Sequence, residues 1–459
     1  MNKLLLSIVF ISCICLACKK SWLDKKPNQN IAAPETLKDL QALMDNSDLM
    51  NRQGGLSLVE RGSDDLYLTD ANFNNSNDQE RNSYTWSNNP TYTTQYDWTY
   101  AYQRVVYCNI VLEELQKITT TTDADRMTWN DIKGQALFQR ARNFYELAQT
   151  FSPPFDVSTQ NESLGIPLRL ESDINIPSKR STVKETYDRI VNDLNETKSL
   201  LPSSATFKTR PNVAAALAML ARVYLSIENY DMAYDNANSC LSLANSLLDY
   251  NTLDSNVAMP FPIYNQEVLF HNSMMYWTSI AFNGYIPNSL LTLYDSNDLR
   301  KNLYFKNNGT YFTFRGVYDD KSGGTPFTGL ATDEIYLIRA ECYARKGNTS
   351  AAMNDLNALM KKRWKSTSWN QPGSGTPFTA TDANDALNKI LTERRKELLF
   401  RGTRWTDLRR LNKDSRFAVT LSRTVNGKTY TLAPNSYQYT IPLGADLIKQ
   451  TGMQQNPGW

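Results

Sequence analysis

The sequence predicts a mainly α-helical protein of irregular tetratricopeptide-like repeats, arranged as a right-handed superhelix, with loop-rich insertions and a few short strands. Two segments repeat one spacing of small and large apolar residues on both sides of a tight turn, the pattern of two antiparallel helices that touch. The residues that share it are Leu217, Leu220, Ala221, Tyr224, Ala233 and Ala237 in the first copy and Tyr336, Ala340, Tyr343, Ala352 and Leu356 in the second. Far more than one repeat length separates the copies, so we expect an interrupted array.

Helical periodicity also recurs outside these two copies. Apolar residues spaced three and four apart indicate an amphipathic helix over residues 34–46, with Leu37, Leu40 and Leu43 on one face. Prolines end two longer helices, at Pro153 and Pro202. The main helical regions that we predict are 98–151, 182–245, 332–364 and 384–411.

The arginine-rich segment, residues 393–411, has the sequence ERRKELLFRGTRWTDLRRL. Its apolar spacing predicts a helix that continues to Phe400 and stops at Gly402. A second short helix follows, and Trp405 lies on its apolar face. We expect arginine–carboxylate pairs to fix how these two helices cross.

The charges of this segment support a structural role. Asp407 has the spacing to meet Arg404 or Arg410 on one helix. The alternative is a basic helix that binds nucleic acid. Because Glu393 and Glu397 interrupt the positive charge, we favour the structural interpretation.

Charge and composition exclude several classes of partner and site. With 49 basic and 47 acidic residues in 459, the formal net charge is only +2, so neither a nucleic acid nor an anionic membrane surface is implied. The single histidine, His271, excludes multi-histidine zinc sites, and we interpret it as structural. We expect no metal and no cofactor. Three cysteines at distant apolar positions, Cys108, Cys240 and Cys342, favour buried free thiols.

The N-terminus has the pattern of an export signal. Lys3 precedes an apolar run that ends at Ala17 and is too short to span a bilayer, so residues 1–17 are predicted to be a signal peptide. Leu16-Ala17-Cys18 looks like a bacterial lipoprotein cleavage site, so we expect Cys18 to be acylated and residues 18–33 to form a polar tether. An ordinary signal peptide that is cut nearby is the alternative.

Two segments, residues 63–97 and 250–330, combine aromatic rings with amides and charged groups. Such loops suit a carbohydrate, because rings stack on its C–H faces while its hydroxyls need paired donors and acceptors. The candidate ligand-binding residues are Asp70, Arg81, Tyr84, Trp86, Tyr276, Trp277 and Tyr285. The alternative is that Trp86 folds back onto the core and that the aromatic residues of the second segment only cap it.

Some local structure is predicted inside and after these segments. Residues 70–89 are rich in Asn and Ser and lack a period, which predicts a loop. Asn308-Gly309 predicts a hairpin turn between strands at 302–305 and 311–314. The tail from Tyr437 to Trp459 is predicted to be short and extended.

Several further motifs follow one another along nearly the whole chain. They are Cys18 with Trp22-Leu23-Asp24, Ser63-Asp64-Asp65, Trp98 and Tyr102 with Asn109, Gly134-Gln135-Ala136 with Arg140-Ala141, Leu337-Ile338-Arg339-Ala340-Glu341, Glu393-Arg394-Arg395-Lys396-Glu397-Leu398, Gly402 with Arg404-Trp405, and Gln455-Asn456-Pro457-Gly458-Trp459. In this order they resemble the SusD/RagB family of Bacteroidetes outer-membrane lipoproteins.

The resemblance implies a fold, a partner and a place in the cell. A single domain over residues 34–459 would contain four tetratricopeptide-like units with ligand-binding loops packed on them. In the family, such a protein sits as a lid over a SusC-like TonB-dependent outer-membrane transporter. It delivers oligosaccharides or, in some members, peptides to that transporter and catalyses no reaction. The acylated Cys18 would anchor it in the outer membrane, with the body exposed at the cell surface.

One position departs from the family pattern, and two other functions compete. Arg401 stands where the family usually carries Glu before Gly402, which puts a local ion pair in doubt. A glycoside hydrolase would need a pair of catalytic carboxylates, and no stretch of the sequence singles one out. A scaffold that only binds proteins is the third possibility, because tetratricopeptide arrays often hold peptides in a groove.

Overall fold

Helices dominate the computed structural model, which describes residues 34–89, 96–275, 284–318 and 324–459. The predicted signal peptide, tether and Cys18 lie outside these ranges. In chain order the helices are α1 (Leu37–Met44), α2 (Ser47–Met50), α3 (Ser57–Gly62), α4 (Asp70–Asn75), α5 (Asp78–Tyr84), α6 (Tyr96–Leu115), α7 (Asp123–Phe151), α8 (Val183–Leu200), α9 (Val213–Ser226), α10 (Tyr230–Leu243), α11 (Asn288–Leu291), α12 (Arg300–Tyr304), α13 (Thr332–Arg345), α14 (Thr349–Met360), α15 (Ala383–Glu397), α16 (Arg404–Leu411) and α17 (Ala445–Thr451).

The strands are short and form antiparallel pairs. They are β1 (Leu164–Pro167), β2 (Arg180–Thr182), β3 (Val268–Phe270), β4 (Phe305–Asn307), β5 (Phe312–Phe314), β6 (Leu330–Ala331), β7 (Leu421–Val425) and β8 (Lys428–Leu432). The pairs are β1 with β2, β3 with β6, β4 with β5, and β7 with β8. Within the described ranges no strand pair grows into a larger sheet, which confirms the predicted fold class of helices with a few short strands.

The two predicted repeat copies are helical hairpins that stack on one another. Helix α9 packs against α10, and α13 packs against α14. Small residues such as Ala221, Ala237 and Ala340 are fully buried where the helices approach. Asn229 and Asn348 cap the second helix of each hairpin by accepting hydrogen bonds from Met232 and Ala351 N–H groups.

The array is interrupted in sequence but continuous in space. Helix α10 packs directly against α13, although residues 244–331 separate them in the chain. The base of this inserted segment is closed by β3 and β6, where Val268 pairs with Ala331. The ligand-binding loops predicted over 250–330 are therefore carried on a rigid helical support.

The arginine-rich segment forms two helices, as predicted, but the first ends earlier. Helix α15 stops at Glu397 instead of Phe400, since the backbone of Phe400 and Gly402 has positive φ (59° and 72°). The N–H group of Gly402 donates to the Glu60 carboxylate at 2.9 Å. A side chain at 402 would also place its Cβ 2.8 Å from Leu56, so glycine is required for both conformation and space.

The predicted arginine–carboxylate pairs are present. Arg394 donates to Asp407 at 2.8 Å across the two helices, and Arg410 donates to Asp407 at 2.9 Å within α16. Arg404 instead reaches Asp64, at 2.7 Å. Arg401, which replaces the usual Glu of the family, pairs with Asp333 at 2.8 Å. These contacts confirm that the segment clasps the last helices to the rest of the array.

Two local predictions were wrong, and one hairpin was not predicted. Residues 70–84, predicted to be loop, form α4 and α5, because Thr69 and Asn77 cap helices too short to show a period. The tail contains α17 and is not simply extended. The hairpin of β7 and β8 was missed, although its turn residues Asn426-Gly427 are a strong hairpin signal. The hairpin around Asn308-Gly309 was correctly predicted, but its first strand begins at Phe305.

Trp405 joins the arginine-rich segment to the core. Its side chain is 1% exposed, and its indole N–H donates to the Tyr439 carbonyl at 3.1 Å. A Cβ on Gly62 would lie 2.8 Å from the ring.

We expect Trp405→Ala to lower the free energy of unfolding by about 3–5 kcal/mol, because it leaves a large cavity. Denaturant unfolding measures this loss, with the half-buried Trp369→Ala as control. Equal losses in the two variants would contradict this role for Trp405.

The buried Glu60 makes stability depend on pH. Burial, aided by the nearby Asp65 charge, raises the pKa of Glu60 from 4.5 to about 8. The folded protein therefore holds a proton that the unfolded chain releases above pH 4.5, so the free energy of unfolding falls as pH rises towards 8. In Glu60→Gln this component of the pH dependence should disappear. Below pH 4.5 the free energy of unfolding should depend on pH in the same way in the variant and the wild type. Parallel unfolding curves from pH 5 to about pH 8 would contradict the assignment.

Candidate ligand-binding site

Three partly exposed tyrosines form a continuous aromatic surface, which we call the tyrosine cluster: Tyr67, Tyr285 and Tyr311. The rings of Tyr285 and Tyr311 are stacked, with centroids 4.3 Å apart and planes 18° from parallel. The Tyr67 ring lies 5.8 Å from Tyr285 and 6.2 Å from Tyr311, tilted against both. All three rings are partly exposed to solvent.

Backbone pairing fixes the three tyrosines relative to one another. Tyr67 and Tyr285 exchange two backbone hydrogen bonds, N to O, of 2.8 and 2.9 Å. Tyr311 follows the turn of the β4–β5 hairpin, and the adjacent Phe312 carbonyl accepts from Ile286 N–H at 2.9 Å. Segments more than 200 residues apart in the chain thus meet at one preformed surface.

The tyrosine cluster offers aromatic rings for stacking and phenol hydroxyl groups for hydrogen bonding. Burial, followed by the neighbouring phenols of Tyr311 and Tyr285, raises the pKa of Tyr67 above its usual value of 10.0. The Tyr67 phenol is therefore protonated at neutral pH and can donate a hydrogen bond. Aromatic faces with nearby donors fit a sugar ring, whose C–H faces stack while its hydroxyls accept and donate.

Two of the predicted ligand residues lie in the core instead. Tyr84 is 2% exposed and Trp86 is 5% exposed. The Tyr84 hydroxyl accepts from Leu68 N–H at 2.9 Å, and the Trp86 indole donates to the Gly62 carbonyl at 2.9 Å. The Arg423 guanidinium, from β7, lies 4.0 Å from the first ring centroid and 4.6 Å from the second. Trp86 thus folds back, as the alternative interpretation held, and these rings support the loop from beneath.

The remaining predicted residues divide between the surface and the undescribed part of the chain. Asp70 is exposed, three residues after Tyr67, and its carboxylate accepts from Asn426 N–H at 2.8 Å. Arg81 donates to the Asn74 carbonyl at 3.2 Å and forms an ion pair with Asp78, the first residue of its own helix. Tyr276 and Trp277 lie outside the described residues. Of the five predicted residues that the structure describes, only Tyr285 belongs to the tyrosine cluster.

Tyr67 and Tyr311 were not among the predicted residues. Tyr67 stands in an alternating run, Leu66-Tyr67-Leu68, in which the flanking leucines are buried and the tyrosine points the other way. Tyr311 follows the hairpin turn that was recognised. Alternation and hairpin position were the available signals, but only the tertiary pairing joins the two residues.

A second surface feature could also hold a ligand. A groove of about 560 Å³ lies between the end of α7 and the C-terminal tail. Its lining includes prolines, hydroxyls, amides and one exposed aromatic ring: Pro153, Pro154, Thr159, Ser163, Asn435, Ser436, Tyr437 and Thr440. Tyr437 is 39% exposed and meets Trp459 edge to face at 5.2 Å. This groove is a natural control for the tyrosine cluster.

The described residues show neither a metal-binding cluster nor a membrane-spanning helix. Among the described residues no group of three or more His, Cys, Asp or Glu side chains is placed to hold a metal ion. Nor does any helix in the described ranges have the length and apolar character needed to cross a membrane. His271 is buried, with Nε2 3.3 Å from the Tyr318 carbonyl, and the three cysteines are buried free thiols, as expected.

Comparison with known families identifies the architecture. A family model described as starch-binding, associating with the outer membrane, matches residues 21–225. The SusD family model matches residues 264–459. Together the two matches leave residues 1–20 and 226–263 uncovered, and the second of these stretches contains α10.

Individual relatives agree along the full length. SusD-like protein P2 of Formosa agariphila is 23% identical, over 98% of this chain and 99% of that protein. A crystal structure of a Bacteroides vulgatus protein, described as sugar-binding, superposes with a TM-score of 0.75 at 22% identity, covering 93% of this chain and all of that one. Surface glycan-binding protein A of Bacteroides uniformis gives a TM-score of 0.71 at 16% identity, covering 92% of this chain and all of that one.

The structural neighbours have the same tetratricopeptide-like helical fold, and the two family-model matches follow one another from residue 21 to the final tryptophan. The chain therefore belongs to the SusD/RagB family of nutrient-binding proteins associated with the outer membrane.

Proposed function

We propose that this protein is a lipid-anchored, cell-surface receptor that binds an oligosaccharide on the tyrosine cluster and passes it, uncleaved, to a SusC-like TonB-dependent transporter. The observation that carries the proposal is the stacked, partly exposed pair of Tyr285 and Tyr311 with Tyr67 beside it. Stacking is tolerant of sugar sequence, so a surface of this kind can retain fragments of varied length.

The position of the cluster also supports capture of an extended ligand. Tyr285 and Tyr311 lie on the inserted segment, and Tyr285 comes shortly after residues 276–283 in the chain, which include Tyr276 and Trp277. These two residues stay in the proposed site. Asp70 at the rim supplies a carboxylate for sugar hydroxyls, and the buried Tyr84 and Trp86 contribute by supporting the loop.

The acylated Cys18 completes the proposal. Anchoring would confine the receptor to the membrane that holds its transporter and so raise the local concentration of captured ligand. The leader sequence and the match to a family associated with the outer membrane support this arrangement.

The tyrosine cluster can be tested by paired substitutions. We expect Tyr285→Ala and Tyr311→Ala each to weaken binding of the cognate glycan about tenfold, because each removes half of the stacked pair. Native affinity gels over a panel of polysaccharides would identify the glycan, and titration calorimetry would give the affinities. The same samples should release no reducing ends.

The matched control is Tyr437→Ala, which removes a similarly exposed tyrosine from the C-terminal groove. Its affinity should equal that of the wild type. If Tyr437→Ala loses binding while Tyr285→Ala retains it, the ligand site lies in the groove and our assignment is wrong. A panel in which no glycan binds, together with binding of peptides, would overturn the substrate class.

Lipidation has its own test. Metabolic labelling with a fatty-acid analogue in the native or a related host should mark the wild type and Cys15→Ala, but not Cys18→Ala. The Cys18→Ala protein should leave the membrane fraction. Labelling that persists in Cys18→Ala would contradict the anchor without affecting the ligand site.

A further inference from the structure

An enclosed cavity lined by arginines lies where the central helices meet. Its volume is about 10 Å³, room for a single water-sized particle. Helices α7, α9, α15 and α16 and the turn at Gly402 form its walls. The arginines that line it are Arg142, Arg222, Arg394, Arg401 and Arg410. Five guanidinium groups around so small a space are unusual for a protein interior, where charges must be matched.

Glu334 is hydrogen-bonded to one of these arginines and lies close to another. Arg222 bonds both oxygens of Glu334, with Nε–Oε1 at 3.0 Å and Nη2–Oε2 at 2.5 Å. Arg394 Nη2 is 3.8 Å from Oε1, beyond hydrogen-bond distance. Arg401 also acts on this carboxylate through its charge. Glu334 therefore makes no hydrogen bond to Arg394 in this arrangement.

The other acids of the cluster are shared in the same way. Arg410 bonds both oxygens of Glu341, at 2.5 and 2.8 Å, and Arg345 bonds one of them at 2.8 Å. Arg142 bonds Glu146 at 2.5 Å, and Arg104 lies 4.0 Å from the same carboxylate. Each of these two acids thus faces two arginines. With Arg394 on Asp407 and Arg401 on Asp333, the network of the five lining arginines, Arg104 and Arg345 has seven guanidinium groups and five carboxylates.

Two buried donors in the cavity wall lack partners as a result. Arg394 is 3% exposed and Arg401 is 6% exposed. Arg394 Nε is bonded to Asp407 and Arg401 Nη1 to Asp333, but Nη1 of Arg394 and Nη2 of Arg401 have no hydrogen-bond partner among the described residues. Unpaired cationic donors are strongly disfavoured in a buried site unless something accepts from them.

We propose that this cavity binds one small monovalent anion such as chloride. An anion accepts from both Arg394 and Arg401 without needing to donate, and it offsets the excess positive charge of the cluster. A water molecule of the same size could accept from both donors but would leave the charge unbalanced. The bound anion would join α7 and α9, in the first part of the array, to α15 and α16 in the last.

The anion should be visible and should stabilise the fold. In crystals of the purified protein grown with bromide in place of chloride, we expect an anomalous-scattering peak inside the cavity. The thermal midpoint should be higher, by about 2 °C or more, in sodium chloride than in sodium gluconate of equal ionic strength. A neutral water in the cavity, with no bromide peak, would overturn the proposal.

Two substitutions separate the site from general salt effects. Arg394→Lys keeps a positive charge for Asp407 but lacks the second donor, so it should lose both the bromide peak and the chloride-dependent shift. Arg345→Lys alters the same network outside the cavity lining and should keep both. If Arg394→Lys does not fold, Arg401→Lys makes the same comparison, since its ammonium can still pair with Asp333.

Two further outcomes would overturn the proposal. A chloride-dependent shift that persists in the lysine variants would place the anion elsewhere and overturn the assignment. A bromide peak in the wild type with identical midpoints in the two salts would mean an adventitious ion only, and the structural role would be rejected. Because none of these residues belongs to the tyrosine cluster, failure here leaves the proposed glycan site untouched.

Discussion

The carboxylate of Glu397 joins the inserted segment to the helical array, and the position of the tyrosine cluster depends on it. One oxygen accepts from Arg300 at 2.9 Å and the other from Arg363 at 2.7 Å, all three groups being buried. Arg300 begins α12, which runs straight into β4 and the hairpin that carries Tyr311. Buried charges tolerate no missing partner, so this ion pair holds the hairpin at one height above the helices.

The helical scaffold was predictable because its signals are local. Residue spacing within ten or fifteen positions specifies each hairpin, and the turn asparagines Asn229 and Asn348 mark where the second helix begins. Short helices escaped notice because their information lies in a single cap, as at Asn77, and not in a period. The shape of the array in space, with α10 against α13, could be expected only after two distant segments were recognised as copies of one unit.

The ligand surface was much less predictable, for a physical reason. A loop tryptophan such as Trp86 has the same sequence surroundings whether it faces solvent or the core. In the core the ring meets Arg423, which comes from a strand more than 300 residues later and whose guanidinium lies 4.6 Å from the Trp86 centroid. Likewise, Tyr67 and Tyr311 become neighbours only through backbone pairing with the strand-like segment at Tyr285. Long-range pairings of this kind leave no periodic trace.

The closure of the inserted segment by β3 and β6 has a consequence for how such receptors diversify. Val268 and Ala331 pair at the base, so the chain between them leaves and re-enters the scaffold at adjacent points. The entropy of closing such a loop grows only with the logarithm of its length, by about 0.6 kcal/mol for each doubling. The segment can therefore be lengthened, shortened or replaced at small entropic cost, and the tyrosines that it carries can change while the helices that support it stay the same.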